Sequence, residues 1–88
     1  MYTVLWRPEA AEELTRIWIE SDSATRQSIT SAAFQIDKAL VKDPMNVGES
    51  REGAGRVCFV FPLGILFDVN APSTIVRVLR VWKYAKRN

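Results

Sequence analysis

The stretch RVCFVFPLGILFDVNAPSTIVRVLRVW, residues 56–82, decides the fold. It opens in strict alternation. Val57, Phe59 and Phe61 fall on one side and Arg56, Cys58 and Val60 on the other, the period of a half-buried strand. Pro62-Leu63-Gly64 reads as a turn, residues 65–69 as a second strand, and Asn70-Ala71-Pro72-Ser73 as a second turn. Residues 74–82 read as a third strand with Val, Ile and Leu on both faces, which predicts a central strand covered twice. Strands joined by turns this short make an antiparallel meander.

The first half has a different period. Residues 2–6, apolar and aromatic, read as a short strand. Pro8 follows where a helix can begin without losing a hydrogen bond, and Glu9, Glu12 and Glu13 suit the positive end of its dipole. Ala10, Leu14, Ile17 and Trp18 recur at helical spacing and predict a helix over 9–20. Ser21-Asp22-Ser23 supplies capping residues for a second helix, 24–42, with the stripe Ile29, Ala32, Ala33, Ile36 and Leu40. Asp43-Pro44 stops it, since a residue before proline is pushed out of the helical region. Residues 45–55 read as a loop, with room for one irregular strand near 49–51.

The order is strand, helical hairpin, then strands. It predicts one α+β domain over residues 1–88, with a three- to four-stranded antiparallel sheet and both helices on one face. The first strand must pair somewhere in that sheet, because its backbone groups need partners. Leu14, Trp18, Ile29, Ile36, Phe59 and Phe67 are the expected core. Trp6, Phe34 and Phe61 also sit in apolar stripes and are expected to pack inside.

Composition narrows the chemistry. The chain has no histidine and one cysteine, Cys58. That excludes a histidine-based triad, any recognisable zinc site and an internal disulfide. No cofactor or metal is expected. One unpaired cysteine, with neither a signal peptide nor a long apolar run, fits a cytoplasmic protein with no membrane segment. The net charge of +2 is unevenly spread: residues 1–44 carry −2 and residues 45–88 carry +4. Arg77, Arg80, Lys83, Lys86 and Arg87 end the chain without an acid among them. That end suits a polyanion, and it equally suits a solubilising tail.

In this order of elements the chain resembles the RelE/ParE superfamily of toxins from bacterial toxin–antitoxin modules. The features that carry the resemblance run along nearly the whole chain. They are Tyr2-Thr3-Val4-Leu5-Trp6 into Pro8-Glu9-Ala10, the helical pair closed by Asp43-Pro44, Gly48-Glu49-Ser50-Arg51, Arg56-Val57, Pro62 to Val69, and the final Val76-Arg77-Val78-Leu79-Arg80-Val81-Trp82. The resemblance implies a four-stranded sheet with a helical hairpin on one side. It implies a cognate antitoxin as partner, the type encoded beside plasmid stabilisation toxins. It implies a target that is either ribosome-bound mRNA, cleaved during translation, or DNA gyrase in the ParE branch.

The departures bear on mechanism. Ribosome-dependent nuclease members place two lysines two residues apart on the strand matching 56–60, where this chain has Arg56 and Cys58. They open the next strand with an Arg, where this chain has Gly64. Another Arg, followed by a Tyr, comes after the last strand, near Lys83 and Tyr84 here. Metal-free cleavage by a 2′-hydroxyl needs a base and charge at the phosphate. Arg56, Lys83 and Tyr84 are the candidate catalytic residues, with Arg51, Arg80, Lys86 and Arg87 for nucleic-acid contact. Arg77 and Arg80 are three apart, so period 2 puts them on opposite faces unless the strand bends or carries a bulge. Either could pair with Asp68 or a helix carboxylate instead of a phosphate. Trp82 and Tyr84, interleaved with cations, suit base stacking or a packed anchor equally. Three readings follow: an endoribonuclease toxin, a non-enzymatic toxin that binds gyrase, or a member that only binds its antitoxin.

Overall fold

The structure is a computed structural model and describes residues 1–85. Its elements are β1 (Thr3–Trp6), α1 (Pro8–Ile19), α2 (Ser23–Lys42), a single 3₁₀ turn (Pro44–Asn46), β2 (Glu49–Ser50), β3 (Gly55–Val60), β4 (Leu63–Asn70) and β5 (Ile75–Lys83). Both helices and the meander stand where the sequence puts them, except that Leu63 and Gly64, read as part of a turn, already belong to β4. The α+β architecture holds, with two differences. The sheet has five strands in the order β1-β5-β4-β3-β2, and it is mixed, because β1 runs parallel to β5. β1 reaches β5 only after the whole hairpin and meander have intervened, so no short turn dictates its direction. The brief β2 comes from the glycine-rich segment, and it pairs only with Arg56 and Val57 of β3.

One face of the sheet is covered. Ile29, Ala32, Ile36 and Leu40 of α2 and Ala10 of α1 close over Cys58, Leu63, Ile65, Phe67, Val76, Val78 and Val81. The helical periodicity named the α2 side of this core correctly. It misjudged the sheet side on β3, where Cys58 is buried and Phe59 is 54% exposed. An alternating strand does not say which of its faces turns inward, and the aromatic face was the wrong choice. Trp18, Phe34 and Phe61 are likewise exposed rather than packed inside, and Leu14 and Trp6 are only partly buried.

β5 lies between two strands but is covered on one face only. Its doubly apolar look has a local cause. Leu66 of β4 faces Arg80 while Phe67 faces Val78, so Leu79 is an extra residue in the ladder. Such a bulge shifts the phase of the side chains. Val76, Val78 and Val81 all point into the core, and Arg77 and Arg80 come to share the opposite face.

β1 ends at Trp6, opposite Val78, so the last residues of β5 have a strand on the β4 side only. α1 takes over. The Glu13 carboxylate accepts the Val81 backbone N–H at 3.0 Å, and the Arg80 guanidinium donates to it through Nε at 3.0 and 3.1 Å and Nη2 at 2.8 Å. These bonds, Arg80's above all and then Val81's, hold the Glu13 carboxyl below the usual carboxylate range against the opposing effect of its partial burial. A depressed folded value means that this stability is present at neutral pH and is lost as pH falls through the lowered value. Glu13→Gln is expected to cost about 1 kcal/mol at pH 7, or roughly 4–8 °C of Tm in a domain this size. The gap between variant and parent should close as pH falls below the ordinary carboxyl range, read by thermal melts across pH. A gap that stays constant down to pH 2 contradicts this assignment.

Candidate functional site on the open sheet face

The face of the sheet away from the helices is built from the outward residues of four strands. Leu5, Val57, Phe59, Leu66, Asp68, Arg77, Arg80 and Trp82 lie on it, and Phe61 and Tyr84 extend it at one end. Its two ends differ in chemistry.

One end is aromatic. Phe59 meets Trp82 edge-on at 6.0 Å between centroids and Tyr84 at 5.4 Å, and Phe61 meets Tyr84 at 5.6 Å. These T-shaped contacts match the ring quadrupoles and are worth roughly 0.5–1.5 kcal/mol per pair. The Tyr84 backbone N–H donates to the Pro62 carbonyl at 3.0 Å, which ties the strand's end to the β3–β4 turn. Gly64 makes the arrangement possible. A Cβ there would lie 2.5 Å from both Cε2 and Nε1 of Trp82 and 2.8 Å from Cζ2. Three contiguous ring atoms so close mean that the indole lies across the bare backbone of Gly64, a glycine covered by its cross-strand aromatic neighbour.

The other end is ionic, and its charges are matched. Arg77 chelates Asp68, with Nε to Oδ1 at 3.0 Å and Nη2 to Oδ2. Arg80 is held by Glu13 as described. Both arginines were candidates for phosphate or for a carboxylate, and both are on carboxylates here.

The residues singled out for cleavage are not gathered in one place. Arg56 stands on the helix side at the start of β3, and its guanidinium donates to the carbonyls of Val47 (3.1 Å) and Gly48 (3.2 Å) and reaches Ser50 Oγ at 3.5 Å. It pins the 47–50 segment, whose Gly48, at φ +67°, sits where a Cβ would come 2.1 Å from the Val57 carbonyl. Lys83 is opposite Leu63 at the far end of β4, whereas Arg56 is opposite Phe67. Four residues along and two strands across is roughly 16 Å at ordinary strand rise and spacing. Lys83 adds a little to holding the Asp22 carboxyl below its usual range, an effect due first to the Thr25 backbone N–H. Tyr84 alone of the three is on the open face. Arg51 is exposed at the β2 edge and paired with Glu49 at 3.3 Å. Lys86 and Arg87 lie outside the described residues. Cys58 is in the core, and burial pushes its thiol up to about 11, so it is protonated and inert at neutral pH. Among the described residues no cluster of His, Cys, Asp or Glu could hold a metal, and no helix is long and apolar enough to cross a membrane.

Reading side chains by type singled out Trp82 and Tyr84 but missed their partners Phe59 and Gly64. The signal was present: Gly64 on one strand and Trp82 on another at a spacing that a two-strand register brings together. Phe59 was assigned inward because its strand looked more aromatic on that side.

No family model matches the sequence, and no curated protein matches it. Solved structures do. A chain of the toxin–antitoxin complex RelBE2 from Mycobacterium tuberculosis matches with a TM-score of 0.77 at 20% identity, covering 97% of this chain and 93% of that one. The chromosomal ParDE toxin–antitoxin system of P. aeruginosa gives 0.73 at 17%, covering 97% and 98%. The isolated E. coli RelE toxin gives 0.65 at 14%, covering 99% and 88%. The fold is therefore that of the RelE and ParE toxins, over essentially the whole chain.

The Gly64–Trp82 contact is directly testable. Gly64→Ala is expected to destabilise by about 1–3 kcal/mol, the usual range for forced overpacking. In a Trp82→Ala background the same change should cost much less, since the obstructing ring is gone. Denaturant melts of the four proteins measure the coupling. Strict additivity would mean that the indole does not lie on Gly64.

Proposed function

We propose that this chain is the toxin of a toxin–antitoxin module and that it acts by docking its open sheet face on a protein target. DNA gyrase, the target the resemblance supplies for the ParE branch, is the first candidate. The fold shared with RelE and ParE toxins supports the toxin part. One observation carries the rest: at the position where nuclease members have an arginine, Gly64 is overlain by Trp82, and the adjoining arginines are matched by Asp68 and Glu13. A phosphate arriving there would meet aromatic rings and neutralised cations. A protein surface would find the exposed Phe59 and the half-buried Trp82 next to an ordered Arg, residue types common at interfaces. Under this reading a cognate antitoxin is the second partner, and the cytoplasm, where gyrase works, is the compartment.

The endoribonuclease reading assigns Arg56, Lys83 and Tyr84 to catalysis, with Arg51, Arg80, Lys86 and Arg87 on the RNA. It has the basic end of the chain in its favour, and it requires Arg56 to leave Val47 and Gly48 and cross to the other end of the sheet.

Induced expression with labelled thymidine, uridine and amino acids separates the two. Thymidine incorporation is expected to fall first. Phe59→Ala and Tyr84→Ala should each raise the toxin level needed for growth arrest by about 30-fold or more, the size of a hot-spot loss of 2 kcal/mol. Lys83→Ala should leave it within about threefold, as for a rim charge. Early loss of amino-acid incorporation, with purified protein cutting ribosome-bound mRNA and Lys83→Ala abolishing the cut, would replace this reading by the enzymatic one.

A further inference from the structure

Where α1 meets the end of β5, the open face has a small hollow of about 270 Å³, lined by Glu13, Val57, Leu66, Arg80, Val81 and Trp82. Val57 and Leu66, opposite each other on β3 and β4, form its floor. Arg80 and Trp82, two apart on β5 and so on one face, bound it from that strand. Glu13 is the contribution of α1.

The ladder alone holds these walls weakly. β5 is bulged at Leu79, and past the bulge it has a strand on the β4 side only. A bulge interrupts the ladder and adds local twist, so the strand beyond it has the fewest hydrogen bonds to fix its course. Glu13 supplies two constraints at that point. Its Oε1 accepts the Val81 N–H at 3.0 Å, which sets the main chain immediately before Trp82. Its two oxygens also take the Arg80 Nε and Nη2, and such a fork fixes the plane of a guanidinium. The Trp82 indole has little tolerance for a turn of the strand. It lies across Gly64 and meets Phe59 edge-on at 6.0 Å, and both contacts move if the strand's end rotates.

We infer that Glu13 is a positioning residue for the docking face. By holding Arg80 and the Val81 N–H, it keeps Arg80 and Trp82 as fixed walls of the hollow in which a side chain of the target anchors. This rests on the reading that the open face docks a protein. The chemistry of the anchor follows from the lining. The floor is aliphatic and Glu13 offsets the charge of Arg80, so the hollow suits an uncharged apolar side chain. A site already held in its bound shape loses less freedom on association, and that saving is what Glu13 provides.

The test uses the full-length chain in two measurements. In the first, 5-fluorotryptophan labelling gives a fluorine NMR signal for each of Trp6, Trp18 and Trp82, and Trp82→Phe assigns the last. Glu13→Ala should shift or broaden the Trp82 signal and leave that of Trp18, exposed on the hairpin, unchanged. Glu13→Gln, whose amide oxygen still accepts from Val81, should fall between. Ile36→Val, a core change under α2 that also lowers stability, should leave Trp82 unmoved. In the second, Glu13→Ala should raise the toxin level needed for growth arrest by about tenfold, and Glu13→Gln by about threefold, the loss expected of a loosened site. Ile36→Val should raise it by less than either. Should Glu13→Ala fail to fold, Glu13→Gln carries both measurements. An unmoved Trp82 signal overturns the inference. So does a Glu13 variant no weaker than Ile36→Val while Phe59→Ala is weakened. If Phe59→Ala itself arrests growth at the parent level, the docking reading fails and this inference fails with it.

Discussion

Glu13 is the residue on which the two halves of this chain meet. β1 is too short to accompany β5 to its end, and an uncovered strand edge there would leave a backbone donor without a partner. The first turns of α1 bring a carboxylate to that donor and, in the same contact, to Arg80. Three features of the molecule follow from it. The helix is seated beside the sheet edge, the bulged strand keeps its phase beyond Leu79, and one of the two arginines on the open face is paired. The glutamate stands in the second turn of α1, beyond Glu9, the first-turn acid that suits the helix dipole, and serves the long-range closure.

That neutralisation shapes the chemistry of the open face. A sheet surface with loose arginines would attract any polyanion. Here three arginines of the second half are paired: Arg77 with Asp68, Arg80 with Glu13, and Arg51 with Glu49. What is left uncovered is an array of edge-to-face rings on a glycine floor. Rings held edge to face lose little further freedom on binding, so such an array presents apolar area at low entropic cost.

The sequence told more about the helices than about the sheet. The stripe Ile29, Ala32, Ile36 and Leu40 was legible because a helix has one face that can be both apolar and continuous. The meander was legible from Pro62 to Gly64 and from Asn70 to Ser73. The inward face of β3 was not, because Val57-Phe59-Phe61 and Cys58-Val60 are both plausible cores and only the helices decide. Nor was the side of Arg80, since the bulge at Leu79 breaks the period on which any such reading depends. The direction of β1 was illegible for a different reason: its partner lies some seventy residues away, and nothing local encodes parallel pairing. The candidate site was readable as a list of residue types and unreadable as a place. Arg56 and Lys83 share a charge and a resemblance, but register separates them along the sheet.

β2 covers only Arg56 and Val57, so from Cys58 onward β3 has a ladder partner on one side alone. That stretch is short, apolar and ends at the β3–β4 turn. It is the place where another extended chain would most readily add itself to the sheet. A protein left in this state at high concentration has a route to self-templated stacking that its well-covered interior does nothing to block. What limits it is length, since Phe61-Pro62 ends the strand within three residues and proline cannot extend a ladder. The turn that shapes the aromatic end of the open face thus also acts as a gatekeeper against polymerisation.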